Sequence, residues 1–149
     1  MQIEKFKMRR NTAKLLDCDM KSIAKLWSYI SCGITTIDPQ TIADDMRGKD
    51  HFVARSEQND IVGLASLWVV SSTLCKFELL SVDERYRHKG IGETLAETGI
   101  DHVFGKYSCE QIITFALPPS QGIFDRLGFA TFEESDGVKT MTLDRPVKY

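Results

Sequence analysis

The sequence predicts an α+β fold, a mixed and mostly antiparallel central sheet with helices on its faces. Three observations lead there. Short strand-like runs joined by short polar turns fill much of the chain, as meandering antiparallel strands require. One strand–helix–strand stretch, from Leu74 to Leu117, demands a parallel pair with a right-handed crossover. No repeat, low-complexity tract or Pro/Gly/Ser-rich linker divides the 149 residues, so 1–149 reads as a single domain.

Ile3 to Met8 alternates imperfectly and reads as an edge strand. Asp17 or Asp19 can cap a helix whose apolar positions are Met20, Ile23, Ala24, Trp27 and Ile30, with Gly33 as its stop. Asp38-Pro39 opens a second helix, with proline at the first helical position, and Ile42 and Met46 form its apolar face before Gly48. His51–Arg55 and Ile61–Val70 form a hairpin around Glu57-Gln58-Asn59-Asp60. A strand over Leu74–Val82 leads through a charged stretch into a helix from about Gly90 to Gly105, burying Ile91, Leu95 and Val103. Gln111–Leu117 is a buried strand. Pro118-Pro119 ends it and starts a short helix that stops at Leu127-Gly128-Phe129, with Gly128 left-handed. Phe129–Glu134 and Val138–Leu143, joined around Asp136-Gly137, make a last hairpin.

Composition narrows the function classes. Hydrophobic residues at 42% and charged residues at 27% are those of a globular protein and exclude disorder. A net charge of -2 with both signs mixed along the chain gives no case for nucleic acid or an anionic membrane. Cys18, Cys32, Cys75 and Cys109 stand far apart, so neither a zinc site nor a redox dithiol is indicated, and no metal is expected. The N-terminal MQIEKFKMRR lacks the apolar core of a signal peptide, and no apolar run approaches a membrane span; with unpaired cysteines, the expectation is a cytoplasmic protein.

Chemistry concentrates in YRHKGIGETL. Arg87, Gly90 and Gly92 lie where a strand gives way to a helix, and unpaired N–H groups at a helix start bind phosphate. Glycine lets a pyrophosphate approach the backbone, while Arg87, His88 and Lys89 add donors and charge. A Walker loop would need Gly-Lys followed by Ser or Thr, but Lys89 precedes Gly90; a Rossmann fingerprint would need a third glycine where Thr94 and Leu95 stand.

LSVDERYRHKGIGETL resembles the signature of the GNAT N-acetyltransferases, R/Q-x-x-G-x-G/A opening a helix after a strand that ends in Val. Downstream, PPSQGIFDRLGF resembles the family's other recurring segment, a short helix closing on Leu-Gly-Phe, and the order of elements is similar throughout. The resemblance implies a GNAT-type fold whose parallel strand pair splays at one end, with acetyl-CoA as cosubstrate. By the same resemblance, backbone groups of Leu80, Ser81 and Val82 pair with pantetheine, and N–H groups of Arg87, His88, Lys89, Gly90, Ile91 and Gly92 hold the pyrophosphate.

The implied reaction is direct attack of a primary amine on the thioester, with the N–H of Val82 as oxyanion donor and Glu78 as the base. Period-two alternation puts Glu78, Leu80 and Val82 on one strand face. Where the family often has a tyrosine to protonate the thiolate, this chain has Phe124, which has no proton to give; Ser120 or water is left to assist, and Phe124 to pack on pantetheine. This makes a non-catalytic acyl-CoA-binding regulatory module the rival reading.

His88 belongs with the phosphate turn, and His51 and His102 have no supporting neighbours in sequence. Trp27 reads as core and Tyr29 as a candidate wall of the acceptor site, while Asp38, Asp44 and Asp45 can either attract a cationic amine or cap a helix. The expected partners are a small-molecule or peptide amine and a second copy of the chain, since an exposed last strand needs covering.

Overall fold

The structure is a computed structural model that describes residues 2–6, 17–29 and 39–147. Its elements are β1 (Gln2–Phe6), α1 (Asp17–Ser28), α2 (Pro39–Met46), β2 (Asp50–Arg55), β3 (Ile61–Val69), β4 (Leu74–Val82), α3 (Ile91–Lys106), β5 (Gln111–Ala116), α4 (Pro118–Arg126), β6 (Ala130–Ser135) and β7 (Val138–Asp144). The order follows the sequence expectation. Ile30, Gly33, Asp38, Cys18's side chain, Cys32 and the continuation of β1 to Met8 lie outside the described residues. A 3-10 turn over Glu84–Tyr86, not expected from sequence, lies within the charged stretch before α3.

Seven strands form one sheet in the order β1-β2-β3-β4-β5-β7-β6. Every pairing is antiparallel except β4 with β5, the pair joined through α3. Both faces of the central strands are buried, by different helices. On one, Leu95, Ala96 and Val103 of α3 and Phe124 of α4 pack with Phe77, Ile112 and Met141. On the other, Ile23 and Leu26 of α1 and Ile42 and Met46 of α2 pack with Val53, Leu64 and Leu79. The second layer stops at β4: on that face of β5 and β6, Phe115 and Phe132 stay exposed.

Turn chemistry places the C-terminal elements. Gly128 has φ 96°, the left-handed value a helix stop requires, and Phe129 N–H returns to Phe124 O at 3.0 Å. The β6–β7 turn uses Asp136 (φ 53°) and Gly137 (φ 80°). Past β7, Arg145 satisfies the carbonyls at the end of α3: Nε donates to Cys109 O (2.8 Å), and the two terminal nitrogens to Phe104 O (2.8 Å) and Tyr107 O (2.6 Å). A cation there also complements the helix dipole.

The histidines away from the turn sit among structural neighbours and do not line the cleft described below. His51 is buried and bridges Ser66 Oγ and Met46 O, each at 2.7 Å; the carbonyl fixes a proton on Nε2, so Nδ1 accepts from Ser66. Burial, the largest influence, holds its pKa below the ordinary value. His102 lies 3.3 Å from Asp50, which also accepts a 2.8 Å hydrogen bond from Tyr107.

Replacing Arg145 with Ala leaves three carbonyls without their charged donor. We expect a loss of about 2 kcal/mol in urea unfolding, seen as a lower midpoint at unchanged slope. An unchanged midpoint would show that Arg145 does not hold the end of α3.

Candidate active site

β4 and β5 pair only from Leu74↔Gln111 to Phe77↔Thr114. Beyond that, β4 runs on to Val82 while β5 turns away beside β7. Two features sit at the fork. The register of β4 on β3 jumps from Leu67↔Phe77 to Ser66↔Leu79, so Glu78 is the extra residue of a β-bulge. The buried Thr114 hydroxyl donates to Phe77 O at 3.0 Å, consuming a carbonyl just where the ladder stops.

Beyond the fork, β4 shows its backbone to the gap. Asp83 N–H donates to Val62 O at 2.8 Å, so by antiparallel alternation Ser81 also bonds toward β3, whereas Leu80 and Val82 direct their N–H and C=O groups toward the departed β5. The expectation for Ser81 is therefore corrected. Its backbone is used by β3, and its hydroxyl donates to Leu26 O of α1 at 2.8 Å.

The bulge corrects a second expectation. Cys75 and Phe77 face the α3 side, but one extra residue reverses the alternation, so Leu79 faces α1 and α2 while Leu80 and Val82 return to the α3 side. Glu78 does not share their face. It pairs with Lys49, which follows α2, and lies 3.9 Å from Lys76. Lys49 also holds Asp45 at 3.2 Å. Burial opposes the charge on Lys49, but the bonds to Glu78 and Asp45 outweigh it and raise its pKa. Asp44 pairs with Arg47 at 3.5 Å, so Asp44 and Asp45 both have cationic partners within the chain.

At the far end of the gap, Gly90 (φ 81°) opens α3, and its carbonyl accepts from Thr94 N–H, the first turn of the helix. The N–H groups of Ile91, Gly92 and Glu93 have no earlier carbonyl to bond and point out of the helix end. The two glycines serve different needs. Gly90 has open space around a missing Cβ and needs its positive φ, whereas a Cβ on Gly92 would press on Ile123 at 3.0 Å and Val82 at 3.5 Å. His88, also left-handed at φ 62°, faces the same cleft. Lys89 instead extends over the Tyr86 ring at 5.5 Å.

Arg87 turns inward. Its Nε donates to Val82 O at 2.9 Å, and its guanidinium lies 4.7 Å from the centre of the Tyr29 ring at the end of α1. Lys25 of α1 reaches Asp83 at 3.1 Å, and Asp83 caps the 3-10 turn through Arg85 N–H. Burial would raise the Asp83 pKa, but Arg85 and Lys25 outweigh it and pull the group down to about 2. α1 is thereby fastened to β4 and the turn by Ser81, Asp83 and Arg87.

The resulting cleft of about 790 Å³ runs from Gly90–Gly92 along Leu80 and Val82 to Glu78 and Thr114, with Ser120 and Phe124 on its α4 wall. Ser120 Oγ donates to Leu117 O at 3.1 Å. Phe124 is buried edge-on between Phe77 and Phe129, at 5.1 and 5.0 Å. Cys75 is buried, and burial pushes its thiol up to about 12, which disqualifies it as a nucleophile. Trp27 packs with the α1–α2 core, as its spacing predicts. Lys49 and Thr114 were missed from sequence, because register alone brings them to the fork. Among the described residues, no cluster of His, Cys, Asp and Glu can hold a metal ion, and no helix is long and apolar enough to cross a membrane.

The model of the family described as Acetyltransferase (GNAT) family matches residues 20–129, which span the cleft and most of the sheet. The chain belongs to the GNAT acetyltransferase family. No curated protein matches it in sequence. Its GNAT fold is shared with PaiA N-acetyltransferase of Thermoplasma acidophilum, solved with coenzyme A, at TM-score 0.71 and 14% identity over 97% of this chain and 99% of that one. It is shared too with Campylobacter jejuni N-acetyltransferase PseH, solved with acetyl coenzyme A, at TM-score 0.69 and 16% identity over 97% and 100%.

Asp83 gives this GNAT domain an acid-sensitive fastening. A carboxylate whose folded pKa is depressed stabilises the fold above its unfolded value and loses that contribution as pH falls toward the folded one. Asp83→Asn should cost about 2 kcal/mol near neutral pH, and its urea midpoint should approach that of the parent protein as pH falls from about 4 toward about 2. A gap independent of pH would rule out the ion-pair account.

Proposed function

We propose that this chain transfers an acetyl group from acetyl-CoA to a primary amine by direct attack. The observation that carries the reading is the fork: a strand edge with unused backbone groups at Leu80 and an unused N–H at Val82 leads from a helix N-terminus to a carboxylate, Glu78. In this reading N–H groups from His88 to Gly92 take the pyrophosphate, since the Arg87 N–H already donates to Glu84 O at 3.5 Å, and Leu80 pairs with pantetheine while the Val82 N–H is kept for the thioester oxygen. The coenzyme A bound to PaiA, a protein of the same fold, supports it.

The amine nitrogen forms a bond to the thioester carbonyl carbon, and its proton passes to Glu78 directly or through water. The carbonyl oxygen takes negative charge opposite the Val82 N–H, the C–S bond breaks, and coenzyme A leaves as a thiolate that is protonated afterwards. An ordinary thiol pKa near ~8.5 makes that leaving group tolerable without a tyrosine. Water or Ser120 supplies the proton, while Phe124 packs against the pantetheine arm. This chemistry needs no metal.

The second reading, a non-catalytic acyl-CoA-binding regulatory module, draws its support from Phe124, whose ring is committed to Phe77 and Phe129 and has no acidic proton. We further place the protein in the cytoplasm, without a nucleic-acid partner, as a homodimer that covers the exposed edge strand β6.

Calorimetry with acetyl-CoA followed by a free-thiol assay over an amine panel separates the readings. Glu78→Gln should bind acetyl-CoA like the parent protein and lose about 10²–10⁴-fold in kcat. Unchanged turnover would remove Glu78 from the mechanism, and binding without thiol release from any amine would favour the module.

A further inference from the structure

In the acetyl-transfer reading an acceptor meets the thioester on the face of the sheet that carries Glu78, because α3 and α4 close the other face with packed side chains. Among the described residues, no helix covers this face beyond β4. Lys76 stands in the middle of it, opposite Trp68 of β3 and Ile113 of β5. The Lys76 ammonium lies 3.9 Å from Glu78 and 5.1 Å from the centre of the Phe115 ring. Phe115 is 52% exposed and lines the cleft together with Glu78.

The two lysines beside Glu78 differ. Lys49 is 12% exposed, lies between Asp45 and Glu78, and rests over Trp68. Lys76 is 32% exposed and makes no hydrogen bond among the described residues; its one carboxylate neighbour stands at the outer limit of an ion pair. An aromatic face, a cation with unused donors and the candidate base therefore adjoin one another.

Resting on the acetyl-transfer reading above, we propose that the acceptor is an amine that also carries a carboxylate close to its nitrogen, an amino acid with an apolar or aromatic side chain. Its ammonium approaches Glu78, its carboxylate takes the donors of Lys76, and its side chain lies on Phe115. The loose Glu78–Lys76 contact gives way to two complementary ones, since the charges of the zwitterion run opposite to those of the pair. A polyamine or an aminoglycoside, by contrast, brings further positive charge against Lys76 and Lys49. Transfer then yields the N-acetylated amino acid and coenzyme A, with the ammonium's protons going to Glu78 and water.

Matched pairs test this: phenylalanine against phenethylamine, and leucine against isoamylamine, compared by kcat/KM in the free-thiol assay. The parent protein should favour the carboxylate-bearing member of each pair by about tenfold or more. Lys76→Gln should lose most of that ratio through KM, and Lys76→Arg should retain it. Preference for the decarboxylated amine, or a ratio unchanged in Lys76→Gln, overturns the proposal. Thiol release with polyamines but with neither pair overturns it while leaving acetyl transfer standing; acetyl-CoA binding with no thiol release from any amine overturns both.

Discussion

A strand that loses its neighbour must find other partners for its backbone, and β4 loses β5 after Phe77 and Thr114. The fold answers this group by group. Thr114 takes Phe77 O, and Arg87 takes Val82 O from within the cleft. The remaining groups of Leu80 and the N–H of Val82 are turned toward the gap, where water or a ligand must satisfy them. The bulge at Glu78 makes this possible, since one extra residue changes which groups face β3 and which face the gap.

Because the gap interrupts the sheet, its rim is fastened from both sides. On the α1 side, Ser81 and Asp83 hold Leu26 and Lys25 of α1 and Arg87 meets Tyr29 just past its end, so the turn before α3 and the first helix are tied together. On the α4 side, Phe124 packs edge-on against Phe77 at the fork, and Arg126 reaches Glu93 of α3 at 2.9 Å across the mouth. Phe124 thus has a packing role whether or not the site performs chemistry. The charged groups differ in the same way: Lys49 is held by two carboxylates, and Lys76 has Glu78 at 3.9 Å and no hydrogen bond among the described residues.

Much of this was legible in the sequence, for local reasons. Pro118-Pro119, Gly128 and Asp136-Gly137 fix their turns through backbone conformation alone, and the strand–turn–helix at Arg87–Gly92 announces itself by glycine spacing. The bulge was not legible. Burial alternates without a break along Cys75, Phe77, Leu79 and Ser81 although the facing reverses at Glu78, because both sheet faces are covered there and each wants apolar side chains. A pattern that is buried on either side cannot reveal a reversal. The partners of Glu78 and Arg87 were hidden for another reason: Lys49 and Tyr29 reach them from separate elements, through register and helix docking.

The central claim, that the free edge of β4 is the coenzyme-binding element, is tested most directly by residue-resolved amide exchange with and without acetyl-CoA. Leu80 and Val82 should exchange readily alone and become protected on binding. Ser81, already bonded to β3, should change little. Saturating binding that leaves Leu80 and Val82 as exchangeable as before would contradict it.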